Sequence, residues 1–140
     1  MQKKTMVEIQ IGYKGELRCE AIHGPSRALL ATDAPVDNHG RGESFSPTDL
    51  VATALGSCMA TIMGIVANKE GVSLEGLSLK VGKEMSKDLP RRIVALPVEI
   101  DMPMAADHPA AELLQKAALG CPVNASIHPD IVVSLIWRWA

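Results

Sequence analysis

Aromatic residues are scarce in this chain. Tyr13, Phe45, Trp137 and Trp139 make up 3% of its 140 residues. That excludes a base-stacking platform for single-stranded nucleic acid, which needs several exposed rings. Charge excess is lacking too: 14 Lys and Arg stand against 16 Asp and Glu, for a net charge of −2. No basic surface for nucleic acid or an anionic membrane is expected from such a balance. No CxxC or HxxxH spacing occurs, and His23, His39, His108 and His128 are scattered. These histidines read as loop or surface residues, so no metal is expected. The start MQKKTMVEIQIGY has no apolar core of the kind a secretory signal carries. A cytoplasmic location is therefore expected. There is no internal repeat and no low-complexity tract.

What the chain does have is one long uncharged run. From Leu50 to Ala67 it reads LVATALGSCMATIMGIVA, without Asp, Glu, Lys, Arg or His. Eighteen residues are the lower limit for a membrane span. The run is rich in Ala, Gly, Ser and Thr, no aromatic belt flanks it, and the rest of the chain is an ordinary soluble mixture. A buried central helix is the better reading, with no membrane association. Ser46 is a good N-cap, Pro47 suits the first helical position, and Asp49 stands three residues after the cap. The helix is expected to run to about Glu70 and stop at Gly71. Ala52, Gly56, Ala60 and Gly64 recur every four positions and allow close approach. Thr53, Ser57 and Thr61 form a mildly polar stripe able to bond back to helix carbonyls.

Around this helix the pattern alternates. Val7 to Gly12 and Leu17 to Ile22 read as strands joined at Tyr13-Lys14-Gly15-Glu16, and Arg27 to Thr32 as a third. Residues 33–44 read as loop. Leu74 to Val81 and Ile93 to Met102 form a hairpin pattern around Ser86 to Pro90. His108 to Leu119 is helical, Gly120 stops it, and Pro122 opens a further short turn of helix. Ile131 to Trp139 is a last strand. The expected class is α+β, one domain over residues 1–140, with helices packed on antiparallel sheet. A helix apolar all round cannot be covered by one sheet, so a second copy of the chain is expected against its other side.

Three cysteines remain: Cys19, Cys58 and Cys121. Cys58 lies inside the uncharged run, and Cys121 stands in LGCPVN, 63 residues downstream. A lone cysteine in an apolar helix is most often a small interior hydrophobe, and apolar surroundings make a thiol inert. Cys58 is about three turns into the helix, beyond the reach of the N-terminal partial charge. Any thiol brought from a pKa of ~8.5 to ~6 must gain about 3.4 kcal/mol in preference for its anion. A desolvated guanidinium can supply that, and Arg18, Arg27 and Arg41 precede the helix. Pro122 removes an amide donor and stiffens the turn after Cys121. Cys19, in mid-strand, reads as structural. In the cytosol a cysteine pair is more often catalytic or redox-active than a permanent staple.

The strings SPTDLVATALGSCMATI, GVSLEGLSLKV, PRRIVALPVEI and CPVN together resemble the OsmC/Ohr family of peroxide-reducing proteins. The resemblance covers nearly the whole chain, and the two cysteine contexts are its most specific part. It implies an intertwined homodimer with the long helices central and both sites at the subunit interface. It further implies that Cys58 attacks a hydroperoxide and becomes a sulfenic acid, and that Cys121 condenses with it to a disulfide. An external dithiol, in some members a lipoylated protein, reduces the pair, and no metal or organic cofactor takes part. The family also uses an Arg from the N-terminal strands and a Glu at the second helical position. Here Thr48 stands where many members have that Glu, and Asp49 is one residue on, rotated about 100° around the axis. Arg18 and Asp49 are assigned the two roles, with Arg41 and Glu43 behind them. Met59 and Met63 are expected to wall the thiol and to favour hydroperoxides with an apolar tail. Two other readings stay open: a non-catalytic thiol sensor or small-molecule-binding module on the same scaffold, and a purely structural dimer.

Overall fold

The computed structural model describes residues 6–140. It contains two compact units, the first running to Leu50 and the second spanning Val51–Ala140. The boundary falls inside the long helix.

The first unit is a three-stranded antiparallel sheet in the order β1-β2-β3, formed by β1 (Ile9–Gly15), β2 (Arg18–His23) and β3 (Leu29–Asp33). The β1–β2 turn lies one to two residues later than the sequence pattern implies. Gly15, Glu16 and Leu17 all take positive φ there, so the reversal centres on Glu16 and Leu17. A loop with a single 3-10 turn (Val36–Asn38) follows β3. Gly40 is required in it, because a Cβ would come within 1.8 Å of the Ala34 carbonyl oxygen.

Helix α1 (Pro47–Glu70) begins and ends where its caps place it. The Asp49 N–H donates to Ser46 Oγ at 3.0 Å, and the Ser46 N–H donates to Asp49 Oδ2 at 3.0 Å. This is a capping box with Asp in the position usually held by Glu or Gln. Gly71 closes the helix at φ +68°. Ser57 and Thr61 donate back to the carbonyls of Ala54 and Ser57, as their stripe implies.

The second unit is built on β6 (Ile93–Asp101), the central strand of a four-stranded sheet. Strands β4 (Ser78–Val81) and β5 (Glu84–Met85) pair with it antiparallel along one edge. The hairpin expected from the sequence is present, but its first strand is split. Pro97 of β6 has no N–H to give the ladder, and the Gly82 N–H bonds its carbonyl at 2.8 Å across the break. Strand β7 (Val132–Arg138) pairs with the other edge of β6 in parallel. The sheet is thus mixed rather than wholly antiparallel, as the sequence had implied. A parallel neighbour needs a crossover connection, and α2 (Ala111–Leu119) with α3 (Pro122–Ser126) provides it.

The core of this unit is aliphatic and methionine-rich. Leu55, Met59, Met63 and Ala67 recur four apart on one side of α1 and are buried. They cluster with Leu96, Val98 and Ile100 of β6 and with Leu114 and Ala118 of α2. Of the two glycines on α1, Gly56 is the one pressed against a neighbour: a Cβ would meet Val81 Cγ2 at 2.8 Å. At Gly64 nothing lies within 4 Å. Gly56→Leu is expected to destabilise the fold by about 1–3 kcal/mol through overpacking against β4. Met59→Ala is expected to cost about 2–5 kcal/mol by opening a cavity. Urea unfolding of both variants checks the two values.

Candidate active site

Cys58 owes its setting to helical geometry. Residues 55, 59 and 63 form the buried stripe, and position 58 is turned about 100° from position 59. It therefore lies on the flank with Val51, Ile62 and Val66, which are half-buried and pack against the core from its edge. Cys58 is half-buried accordingly. Met59 and Met63 have no exposed surface. They fill the core, and the expectation that they wall an open substrate site is corrected by their place on the buried stripe.

Cys121 is fully buried, with no exposed surface. It is the N-cap of α3, with Pro122 at the first helical position. Its Sγ accepts the Asn124 N–H at 3.3 Å. Burial pushes the Cys121 thiol above the ordinary cysteine range. The amide of Asn124 works against that shift, while a hydrogen bond and charge repulsion from Cys58 add to it. The structure thus brings the two thiols, 63 residues apart in sequence, near enough for the charge of one to act on the other. Both are free thiols. They differ in access: Cys58 meets solvent and Cys121 does not. A charge on Cys58 makes one on Cys121 costlier.

The charged residues assigned from the sequence lie in the first unit. Arg18 donates from Nε to Asp33 Oδ1 at 2.7 Å and from Nη2 to Asp33 Oδ2 at 2.9 Å. Glu43 Oε2 stands 3.7 Å from the same Nη2. Asp33 is 1% exposed. It also accepts the Glu43 N–H at 3.1 Å. The Arg18 guanidinium holds the Asp33 carboxyl below the usual carboxylate range, against the cost of its burial. Asp33 in turn holds Arg18 in its cationic form. The carboxylate that clamps Arg18 is therefore one that motif reading did not single out. Its signal was positional: Arg18 and Asp33 are direct cross-strand partners in the β2–β3 register. Asp49 takes its place in the helix cap with Ser46. Arg41 pairs with Glu16 at the surface. Arg27 sits in the β2–β3 turn at φ +65°, its N–H bonded to the His23 carbonyl. Cys19 is half-buried in β2, opposite Tyr13 and Thr32. Among the described residues, no three His, Cys, Asp or Glu side chains converge as a metal site would require.

The site is thus a half-buried thiol near a fully buried one, in a small α+β protein with a long apolar helix. The comparisons with known proteins agree in fold and family. The family model for OsmC-like proteins matches residues 40–136, and the chain belongs to that family. It is 43% identical to a protein of Psychrobacter arcticus 273-4 assigned to osmotic stress induction and the detoxification response. That match covers 99% of this chain and 98% of the other, at a TM-score of 0.88. An organic hydroperoxide resistance protein, OsmC, from Legionella pneumophila shares the fold at 18% identity and a TM-score of 0.77, covering 98% and 99% of the two chains. An organic hydroperoxide resistance protein from Elizabethkingia anophelis does so at 13% identity and a TM-score of 0.78, covering 100% of each. A search of curated proteins found no match.

The Arg18–Asp33 pair generates a pH prediction. A carboxylate whose folded pKa is depressed stabilises the fold fully above its ordinary pKa of about 4, and that stability is lost as pH falls through the lower folded value. Asp33→Asn is expected to lower stability at pH 7 and to flatten the loss of stability as pH falls below about 4. Chemical denaturation across that range, wild type against variant, checks the sign.

Proposed function

We propose that this protein is a cysteine-based hydroperoxide reductase in which Cys58 attacks and Cys121 resolves. The observation that carries the reading is a half-buried thiol and a fully buried one close enough to interact electrostatically. Family membership supports it, as does the detoxification role assigned to the relative at 43% identity.

The chemistry balances on these two residues. The Cys58 thiolate attacks the distal oxygen of a hydroperoxide; the O–O bond breaks, an alcohol leaves with a proton, and Cys58 becomes a sulfenic acid. The Cys121 sulfur then attacks the sulfenic sulfur. The S–O bond breaks, the S–S bond forms, and the hydroxyl departs as water with the Cys121 proton. A neighbouring thiol of this kind traps the sulfenic acid before it climbs to the sulfinic state. A dithiol, free or carried on a lipoylated protein, returns the pair to the reduced form. Arg18 is the candidate for the cation that favours the attacking thiolate. An alkyl or aryl hydroperoxide is the favoured substrate in this reading, its tail buried against apolar surface around the half-buried flank of α1.

The outer face of α1 supports a homodimer. Thr53, Ser57, Thr61 and Ile65 are exposed on a helix long and apolar enough to cross a membrane. A second copy of this chain is the proposed cover.

A second reading follows from Thr48, which stands where the family's Glu is usual, and from Asp49, whose carboxylate caps the helix. On that reading Cys58 is a sensor that oxidises once. The two separate on turnover. With one equivalent of cumene hydroperoxide, mass spectrometry is expected to show a 58–121 disulfide. With excess dithiol, peroxide is expected to be consumed catalytically, and Cys58→Ser to bring consumption down to background. Cys121→Ser is expected to retain the first oxidation and stall at the sulfenic or sulfinic acid. Stoichiometric oxidation without turnover selects the sensor. Equal turnover of hydrogen peroxide and cumene hydroperoxide refutes the substrate class. Arg18→Met is expected to slow the first oxidation while leaving the resolving step intact. A monomer in solution scattering at micromolar concentration refutes the dimer.

A further inference from the structure

We propose that Asn124 is a positioning residue for the resolving thiol, anchoring the turn that holds the Cys121 sulfur toward Cys58. The proposal rests on the peroxidase reading above and deepens it. Asn124 makes two bonds that belong together. Its backbone N–H donates to Cys121 Sγ at 3.3 Å. Its side-chain Nδ2 donates to the Leu119 carbonyl at 2.9 Å. Leu119 ends α2, where carbonyls are left without intrahelical partners. Pro122, the first residue of α3, has no N–H with which to satisfy one. The Asn124 amide therefore spans the junction and ties the first turn of α3 to the last residue of α2. Cys121 lies within the loop so closed. With Leu119 and Asn124 joined, the Asn124 N–H is aimed at the sulfur.

The consequence is chemical as well as geometric. Cys121 is fully buried, and burial opposes ionisation of its thiol, whereas the Asn124 amide favours the anion. In the resolving step Cys121 must become a nucleophile without ever meeting solvent. An N–H held at its sulfur offsets part of the missing hydration as the S–H bond yields its proton. Loosening that N–H slows attack on the Cys58 sulfenic acid, and the sulfenic acid then has longer to react with a second hydroperoxide. Asn124 thereby sets the partition between disulfide and sulfinic acid. It touches neither peroxide nor the reacting oxygen, so it acts through Cys121 alone.

The test compares wild type with Asn124→Leu, which removes the amide but keeps the branched side-chain shape, and Asn124→Gln, which keeps an amide donor. Each reduced protein receives one or ten equivalents of cumene hydroperoxide between pH 6 and 9. Samples are quenched by alkylation and read by mass spectrometry. The first oxidation of Cys58 is expected to keep its wild-type rate in both variants. Disulfide formation in Asn124→Leu is expected to slow about tenfold, the value of one well-aligned hydrogen bond. Its pH profile is expected to move to the alkaline side, and the sulfinic share at ten equivalents to rise. Asn124→Gln is expected to recover most of the rate. Should Asn124→Leu not fold, Asn124→Ser serves the same comparison. Wild-type disulfide rate and sulfinic share in the leucine variant overturn the assignment of Asn124 alone. So does a slowed rate with an unmoved pH profile and no recovery in the glutamine variant. A wild type that forms no 58–121 disulfide overturns the peroxidase reading, and this proposal with it.

Discussion

Leu55, Met59, Met63 and Ala67 stack four apart on α1 and share a core closed to water with Leu96, Val98 and Ile100 of β6. Burying each large aliphatic side chain contributes about 1.5–3 kcal/mol, so this contact fixes the rotation of α1 about its axis. The rotation fixes everything chemical that follows. Cys58 precedes Met59, so it cannot join the stripe and cannot escape its edge. Turning the helix enough to bury Cys58 fully would lift Met59 and Met63 out of the core. The half-burial of Cys58 is thus a by-product of packing, enforced by the residues of the buried stripe.

Cys121 reaches the same place by a different route. It lies where two short helices meet, as the N-cap of α3, and belongs to the buried core cluster that also holds Leu114 and Ala118. One sulfur is positioned by a helix face and the other by a helix cap. A sulfur on a helix face is held by side-chain packing, which is stiff. A sulfur at a cap is held by local hydrogen bonds in a turn, which rearrange more readily. In the proposed disulfide, α1 is the partner held by core packing, and the Cys121 turn is the partner held by the bonds of Asn124. Forming an S–S bond requires the sulfurs to close to about 2 Å, and the turn is where that adjustment costs least.

Local chemistry made α1 legible in the sequence. Ser46, Pro47, Asp49 and Gly71 each act within a few residues, and each does in the structure what its type implies. The CPVN turn and the stop at Gly120 were legible for the same reason. Features set by pairing between distant segments were not. The parallel β6–β7 ladder looks in sequence like any other alternating strand, because alternation says nothing of direction. Asp33 was missed because an aspartate at a strand end before Ala-Pro reads as a turn residue. Only the β2–β3 register sets it opposite Arg18. The Met59 and Met63 expectation failed on angle: neighbours in sequence on a helix are not neighbours on its surface. The two cysteine contexts were legible through resemblance, and their proximity only through the fold.

The difference in access between the two sulfurs also orders the proposed cycle. A hydroperoxide arriving from solvent meets Cys58 and not Cys121, so oxidation starts on one defined atom. Once a disulfide has formed, an incoming dithiol faces the same asymmetry. It reaches the Cys58 sulfur, and the bond it breaks releases Cys121. Exchange is faster when the leaving sulfur is stabilised as an anion. Buried apolar surroundings would make Cys121 a poor leaving group, and the amide N–H at its sulfur is the contact that counters this. In the proposed cycle the same N–H would serve both halves, assisting Cys121 as it attacks and again as it departs. A buried cysteine without such a donor would be protected from oxidation but slow in both steps. Burial supplies the selectivity, and the turn that follows α2 restores the reactivity that burial removes.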